Sequence, residues 1–326
     1  MRRRDLLTTL AGAALVQPLS VRAARSAVPI VGYLSNGSAE ADVSQRTGLL
    51  EGLEQQGFVV GRNTAIEYRF AAGQIDRVPS LAAELVGIPV AVLVATGLGE
   101  AVAAKKTTVT IPIVFGSGTD PVQAGLVVSL SRPAGNATGM YVFVTGLIAK
   151  RLELLREVLP QPGLIAALFG PTLTSNQQQI SDVETAARAL GHPILVLQAR
   201  NDDEVETAFA TMAKREAVGL VYGASTYFQV IADKLVALAA RYRIPAVYEW
   251  PEFVAAGGLM SYSTHRREIG QRIGDYVGRI LKGTSPADLP VVQSSRFQLA
   301  INLKTAKALG VTVPQSILAR ADEVIE

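Results

Sequence analysis

Short runs of β-branched and apolar residues alternate along this chain with longer stretches whose apolar residues recur at helical spacing. That rhythm restricts the fold more than any single motif. VPIVGYL (28 to 34), TAIEYRF (64 to 70), AVLVAT (91 to 96) and IPIVFG (111 to 116) read as strands, with helical stretches at 45 to 56, 76 to 86 and 100 to 106 between them. Alternation of this kind is the pattern of βαβ units on a parallel sheet with right-handed crossovers. From Asp120 to Gly139 the rhythm breaks: DPVQAGLVVSL has the makings of a short helix, and SRPAGNATG consists of turn formers. It then resumes with a helix over 144 to 159, strands at 164 to 170, 193 to 199, 219 to 224 and 244 to 250, and helices at 177 to 190, 203 to 214 and 228 to 240.

Two series of this design, separated by a Pro/Gly-rich passage, predict an α/β protein. Two Rossmann-like lobes, each a parallel sheet flanked by helices, would enclose a ligand cleft. One continuous doubly wound sheet is the competing architecture, and eight or more parallel strands would bring it near the size at which open sheets curl or split. The expected divisions are lobe 1 over 27 to 143, lobe 2 over 144 to 263 and a C-terminal segment over 264 to 326, part of which returns to lobe 1.

The first residues stand outside this rhythm. Arg2, Arg3 and Arg4 precede an apolar stretch from Leu6 to Val16, about half of the roughly 20 residues that a helix needs to cross hydrocarbon. A basic region, a short apolar core and small residues near Val21-Arg22-Ala23 read as an export signal over residues 1 to 23. Arg3-Arg4 before Asp5-Leu6-Leu7 resembles the twin-arginine type. The alternative is a mobile basic tail. Removing the signal reduces 31 basic and 28 acidic residues to 27 of each, so the basic excess belongs to the leader. A neutral chain without a basic cluster lacks the electrostatic footprint of a nucleic-acid binder. The absence of cysteine excludes disulfides and thiolate metal ligands.

In open α/β sheets, ligands bind beyond the carboxyl ends of the strands, beside helix N-termini that present free N–H groups. The residues at which the apolar runs stop are therefore the candidates: Ser35 and Asn36, Thr96 and Gly97, Ser117, Ser225 and Thr226, and Tyr248, Glu249 and Trp250. Hydroxyls and glycines dominate them, which suits a small carboxylate held by charge-assisted hydrogen bonds, mainly from Thr96, Gly97 and the Ser117 turn of the first lobe. Capping of helices is the plainer reading of the same residues, above all for Asp120 before Pro121. Glu249 between two aromatics suits an ammonium group against an apolar wall, or else solvent beside a sealed junction. Tyr141, with Tyr222, Tyr227 and Tyr262, adds aromatic candidates for the cleft.

Enzymatic readings find little support. The two histidines, His192 and His265, have no metal-ligand spacing, and GASTY (223 to 227) is not a nucleophile elbow. Gly97 and Gly99 form only G-x-G. A hydrolase built on Asp120 and Glu249 is the remaining catalytic alternative, and neither cofactor nor metal is expected.

Several segments resemble the ABC-transporter substrate-binding proteins of the TrpX-like group, which have a type I periplasmic-binding-protein fold. They are VGYLSNGS, EGLEQQGFVVGRNTAIEYRFAAG, IPIVFGSGTDPVQAGLVVSLSRPAGNATG, RLELLREVLP, IPAVYEWPEFVAAGGLMSYS and INLKTAKALGVTVPQSILARADEVIE. The resemblance implies a monomeric periplasmic receptor whose lobes close on a small solute, such as an aromatic amino acid or related acid. The solute then passes to an inner-membrane permease driven by an ATPase. It also implies Ser35, Asn36, Thr96, Gly97 and Ser117 as first-lobe contacts and Ser225, Thr226 and Glu249 as second-lobe contacts. Many relatives have an acidic residue where this chain has Ser225-Thr226, a departure that favours carboxylates without an amine. A sensory receptor on the same fold is the alternative.

The leader generates a test. Periplasmic fractions should contain protein beginning near Ala24 or Arg25, and replacing Arg3 and Arg4 by lysine should stop export. A normal periplasmic yield of that variant would exclude the twin-arginine route.

Overall fold

The computed structural model describes residues 28–142, 145–171 and 176–326. The expected leader and the expected 143/144 division lie outside them. The first apolar run forms β1 (Ile30–Ser35), buried from Val31 onward because helices cover both faces of its sheet. It is followed by α1 (Val43–Gln55), β2 (Ala65–Phe70), α2 (Val78–Val86), β3 (Val90–Ala95), α3 (Leu98–Thr107), β4 (Ile113–Ser117) and β5 (Ala137–Tyr141). The second series is α4 (Ile148–Val158), β6 (Ile165–Phe169), α5 (Asn176–Leu190), β7 (Ile194–Gln198), α6 (Asp202–Lys214), β8 (Gly219–Tyr222), α7 (Thr226–Val230), α8 (Ala232–Arg241), β9 (Ala246–Tyr248), α9 (Pro251–Ala255) and β10 (Met260–Thr264). The chain ends with α10 (Arg266–Leu281), β11 (Val292–Gln293), β12 (Phe297–Asn302), α11 (Leu303–Leu309), α12 (Gln315–Leu318) and β13 (Glu323–Ile325).

Two sheets result, one for each lobe. The first has strand order β11-β5-β4-β3-β1-β2, and the second β13-β12-β10-β9-β8-β6-β7. Every strand pair is parallel except β10 with β12. The chain passes between the sheets three times, after β5, after β10 and after β11. Helix α10 follows a second-lobe strand yet packs against α1 of the first lobe, and β11 adds an edge to the first sheet beside β5.

The α1/α10 contact is made by glycine. Gly48 and Gly52 share one face of α1, Gly270 and Gly274 one face of α10, and the two helices run parallel. A Cβ at Gly48 or Gly52 would overlap the carbonyl oxygen of Arg267 or Gln271, and one at Gly270 or Gly274 would overlap that of Gln45 or Leu49. Backbone therefore lies against backbone along the seam.

Three expectations differ from the structure. The segment after Asp120 is a series of turns, not a helix; the Asp120 carboxylate accepts from the Val122 and Gln123 N–H groups, and Gly125 is left-handed at φ 69°. The end of SRPAGNATG, taken for a turn, enters strand β5. Its small residues carry no strand pattern, but Gly139 lies so close to the Phe115 backbone that a larger residue would not fit. The helix expected over 228 to 240 is divided at Ile231 into α7 and α8.

The glycine seam makes a prediction in which two effects oppose each other. Alanine is the better helix former by about 1 kcal/mol, but overpacking costs about 1–3 kcal/mol. Gly52→Ala should therefore lower the denaturant midpoint, whereas Leu50→Ala, on the exposed side of the same helix, should leave it nearly unchanged.

Candidate functional site

The carboxyl ends of β1, β3 and β4 face those of β8 and β9, and between them lies a cavity of about 160 Å³. The lobes also touch beside it: the loop at Gly73 packs against Tyr227 and Val230 of the second lobe. Of the residues singled out in the sequence, Ser35, Asn36, Thr96 and Gly97 line the cavity from one side, and Ser225, Thr226, Glu249 and Trp250 from the other. Ile75, Val78, Leu98, Val142 and Ile269 supply its apolar surface.

Ser117, Tyr141 and Tyr248 do not line it. Ser117 is fully buried, and its hydroxyl donates to the Thr119 carbonyl at 2.6 Å. Tyr141 ends β5 and packs at the margin of the first-lobe core. Tyr248 is stacked between Tyr222 (ring centroids 4.9 Å apart) and Phe253 (5.0 Å), so it belongs to the second-lobe core. Tyr227 donates its hydroxyl to Asp202, and Tyr262 stacks on Phe297. Trp250 is thus the aromatic side chain on the cavity wall among the described residues.

The electrostatics depart from a hydroxyl-lined anion site. Glu100, at the third position of α3, turns its carboxylate back into the cavity wall, where Oε1 accepts from the Asn36 N–H (2.8 Å) and the Thr96 hydroxyl (3.3 Å). Thr96, the donor expected to hold a solute carboxylate, is engaged by this internal one. Gly97 leaves room for the arrangement, since a Cβ there would come within 2.6 Å of Glu100 Oε2 and displace the carboxylate. Burial raises the Glu100 pKa and the nearby Asp42 charge adds to the shift, against the hydrogen bonds that favour ionisation.

On the opposite wall, Glu249 is buried and accepts from the Ser225 N–H at 3.3 Å. Burial raises its pKa too, but the Arg151 and Arg266 charges act in the other direction. Arg151, whose charge acts on it, is fully buried on α4, with Nε donating to the Tyr262 carbonyl at 2.9 Å. Burial pulls its guanidinium down to about 10, although Glu249 favours the charged form. Arg266 joins the lobes: Nη2 donates to Asp42 Oδ1 (3.1 Å), Nη1 to Gln229 Oε1 (3.0 Å), and the guanidinium lies 4.9 Å from the Trp250 ring centroid.

Sequence reasoning missed Glu100, Asp42, Arg266 and Gln229. Glu100 had a local signal, an acidic residue at the third helical position after a glycine turn, where carboxylates meet free N–H groups. Asp42 and Arg266 are 224 residues apart, and nothing local announces their pairing. Among the described residues no group of three His, Cys, Asp or Glu is placed to hold a metal ion.

Comparison with known proteins agrees with this architecture. Residues 30–325 match the family model described as ABC transporter substrate binding protein. A tyrosine-binding protein of Clostridioides difficile (strain R20291) is 26% identical over 265 residues, covering 81% of this chain and 76% of that protein. A conserved domain protein from Vibrio cholerae superposes with a TM-score of 0.83 at 27% identity, over 91% of this chain and 99% of the other. An ABC domain from Streptococcus pneumonia in complex with L-Trp has the same fold, with a TM-score of 0.82 at 23% identity over 91% and 99% of the two chains. By fold, by a cavity between two lobes and by the match along nearly its whole length, the chain belongs to the family of ABC transporter substrate-binding proteins, transport receptors and not enzymes.

Proposed function

We propose that this protein is the periplasmic receptor of an ABC importer, closing on a small aromatic solute that carries a carboxylate and delivering it to an inner-membrane permease with its ATPase. The observation that carries this reading is the cavity between strand ends of both lobes, with Trp250 on its wall. A solute touching both walls favours closure over opening by its differential contacts. The ring is placed against Trp250 and the apolar surface of Ile75, Val78 and Leu98. The carboxylate is placed at Arg266, the cation that lines the cavity, since its bonds to Asp42 and Gln229 leave further N–H donors of its five. Ser35, Ser225 and Thr226 complete the polar contacts. The tyrosine-binding relative and the L-Trp complex support the aromatic class, and the family supports the permease partner and periplasmic location.

Trp250 is the chain's single tryptophan, so its emission reports on the cavity directly. Native mass spectrometry of the unwashed protein should find a co-purifying ring-bearing acid of low mass. Titration of that solute should shift the emission, and Trp250→Ala should weaken binding tenfold or more in calorimetry. Absence of binding by tyrosine, phenylalanine and their deaminated acids would refute the aromatic reading.

A further inference from the structure

Each charge around the cavity has a partner of opposite sign, with one exception. Asp42 pairs with Arg266, and the charges of Arg151 and Arg266 both act on Glu249. Glu100 is 5% exposed and lines the cavity, yet it forms no ion pair among the described residues; the groups that meet its carboxylate are the Asn36 N–H, the Thr96 hydroxyl and its own helix terminus. A buried carboxylate without a counter-charge is costly. Beside it stands a second, independent sign of a missing partner. Asn36, 6% exposed and on the same wall, has a buried side-chain oxygen with no hydrogen-bond partner. The two residues put a carboxylate without an ion-pair partner and a neutral oxygen without a hydrogen bond on the first-lobe side of the cavity.

We propose that Glu100 and Asn36 Oδ1 form a subsite for the protonated amine of the solute, and that Glu100 is the residue that selects amine-bearing solutes over amine-free ones. This rests on the reading of the cavity as a site for a small aromatic acid, and it fixes the orientation within it: amine toward the first lobe, carboxylate toward Arg266. Glu249, the acidic residue that stands out in the sequence, is not the amine's partner, because the charges of Arg151 and Arg266 already favour its ionised form. An ammonium group has three donors. Glu100 Oε2 and Asn36 Oδ1 accept two of them.

Calorimetry with L-tyrosine and 3-(4-hydroxyphenyl)propionate, which differ by the amine alone, tests the assignment. The unmodified protein should bind tyrosine tenfold or more tighter than the deaminated acid, the scale of a charge-assisted contact. Glu100→Gln should remove that preference while changing the affinity for the deaminated acid less than about threefold, and Glu249→Gln should retain it. A role in helix capping alone gives a different result: loss of the charge would then lower the melting temperature of the solute-free protein. Relief of an unbalanced buried charge should leave that temperature unchanged or raise it. Asn36→Ala, which keeps the backbone N–H bonded to Glu100, provides a second variant and should reduce the preference without loss of stability. A tyrosine preference that survives Glu100→Gln, or one that disappears with Glu249→Gln, overturns the assignment and leaves the aromatic reading standing. Failure of both compounds to bind the unmodified protein would overturn the assignment, and the aromatic reading with it if phenylalanine and its deaminated acid also fail to bind.

Discussion

The close approach of α1 and α10 is the contact on which the site depends. Glycines at a spacing of four on both helices let backbone meet backbone, which draws a helix from the far end of the chain onto the first lobe. Arg266 opens that helix, and Asp42 precedes the one it packs on. Parallel packing brings these two starts together, and the guanidinium then reaches Gln229 and Trp250 of the second lobe. A larger residue in the seam would push α10 outward and carry the lobe-bridging arginine with it. Packing that looks purely structural thereby sets the position of the cavity's cation.

The cavity is built from carboxylates turned inward at helix starts. Such termini ordinarily attract anions from outside. Here Glu100 meets its own N–H in the first turn of α3 and the Asn36 N–H after β1, and the Ser225 N–H at the start of α7 meets Glu249. The chain thereby fills its own anion sites, and the difference between the two walls lies in what stands behind them. The charges of Arg151 and Arg266 act on Glu249, whereas Glu100 forms no ion pair among the described residues.

The two-lobed fold was legible because most strands are continuous apolar runs, as expected where helices cover both faces of a parallel sheet. Strand β5 escaped notice because Ala137, Thr138 and Gly139 fit a crowded position without displaying a pattern. At the site, the ends of strands were readable and the direction of side chains was not. Tyr248 and Trp250 are two residues apart in sequence; the first still belongs to β9 and stacks in the core, while the second lies where the chain leaves the sheet and turns to the cavity. Thr96 and Gly97 do lie on the wall, but their hydroxyl and their small size serve Glu100, a relation that depends on the fold of the α3 turn. The pairing of Asp42 with Arg266 spans most of the chain and has no local trace.

The order in which the parts of the first lobe leave the ribosome has its own significance. Its sheet begins at Ile30 but gains its last edge strand only at Val292–Gln293, and the helix that covers α1 is the sixteen residues from Arg266. A nascent chain that has emerged as far as Thr264 holds every strand of the second lobe except β12 and β13, yet its first lobe still exposes the glycine face of α1 and an unpaired edge of β5. Contacts between segments so distant in sequence form slowly, because a long loop must close before they can stabilise anything. Vectorial synthesis therefore cannot complete the amino-terminal half first, and the cavity comes into being only when the chain is nearly finished.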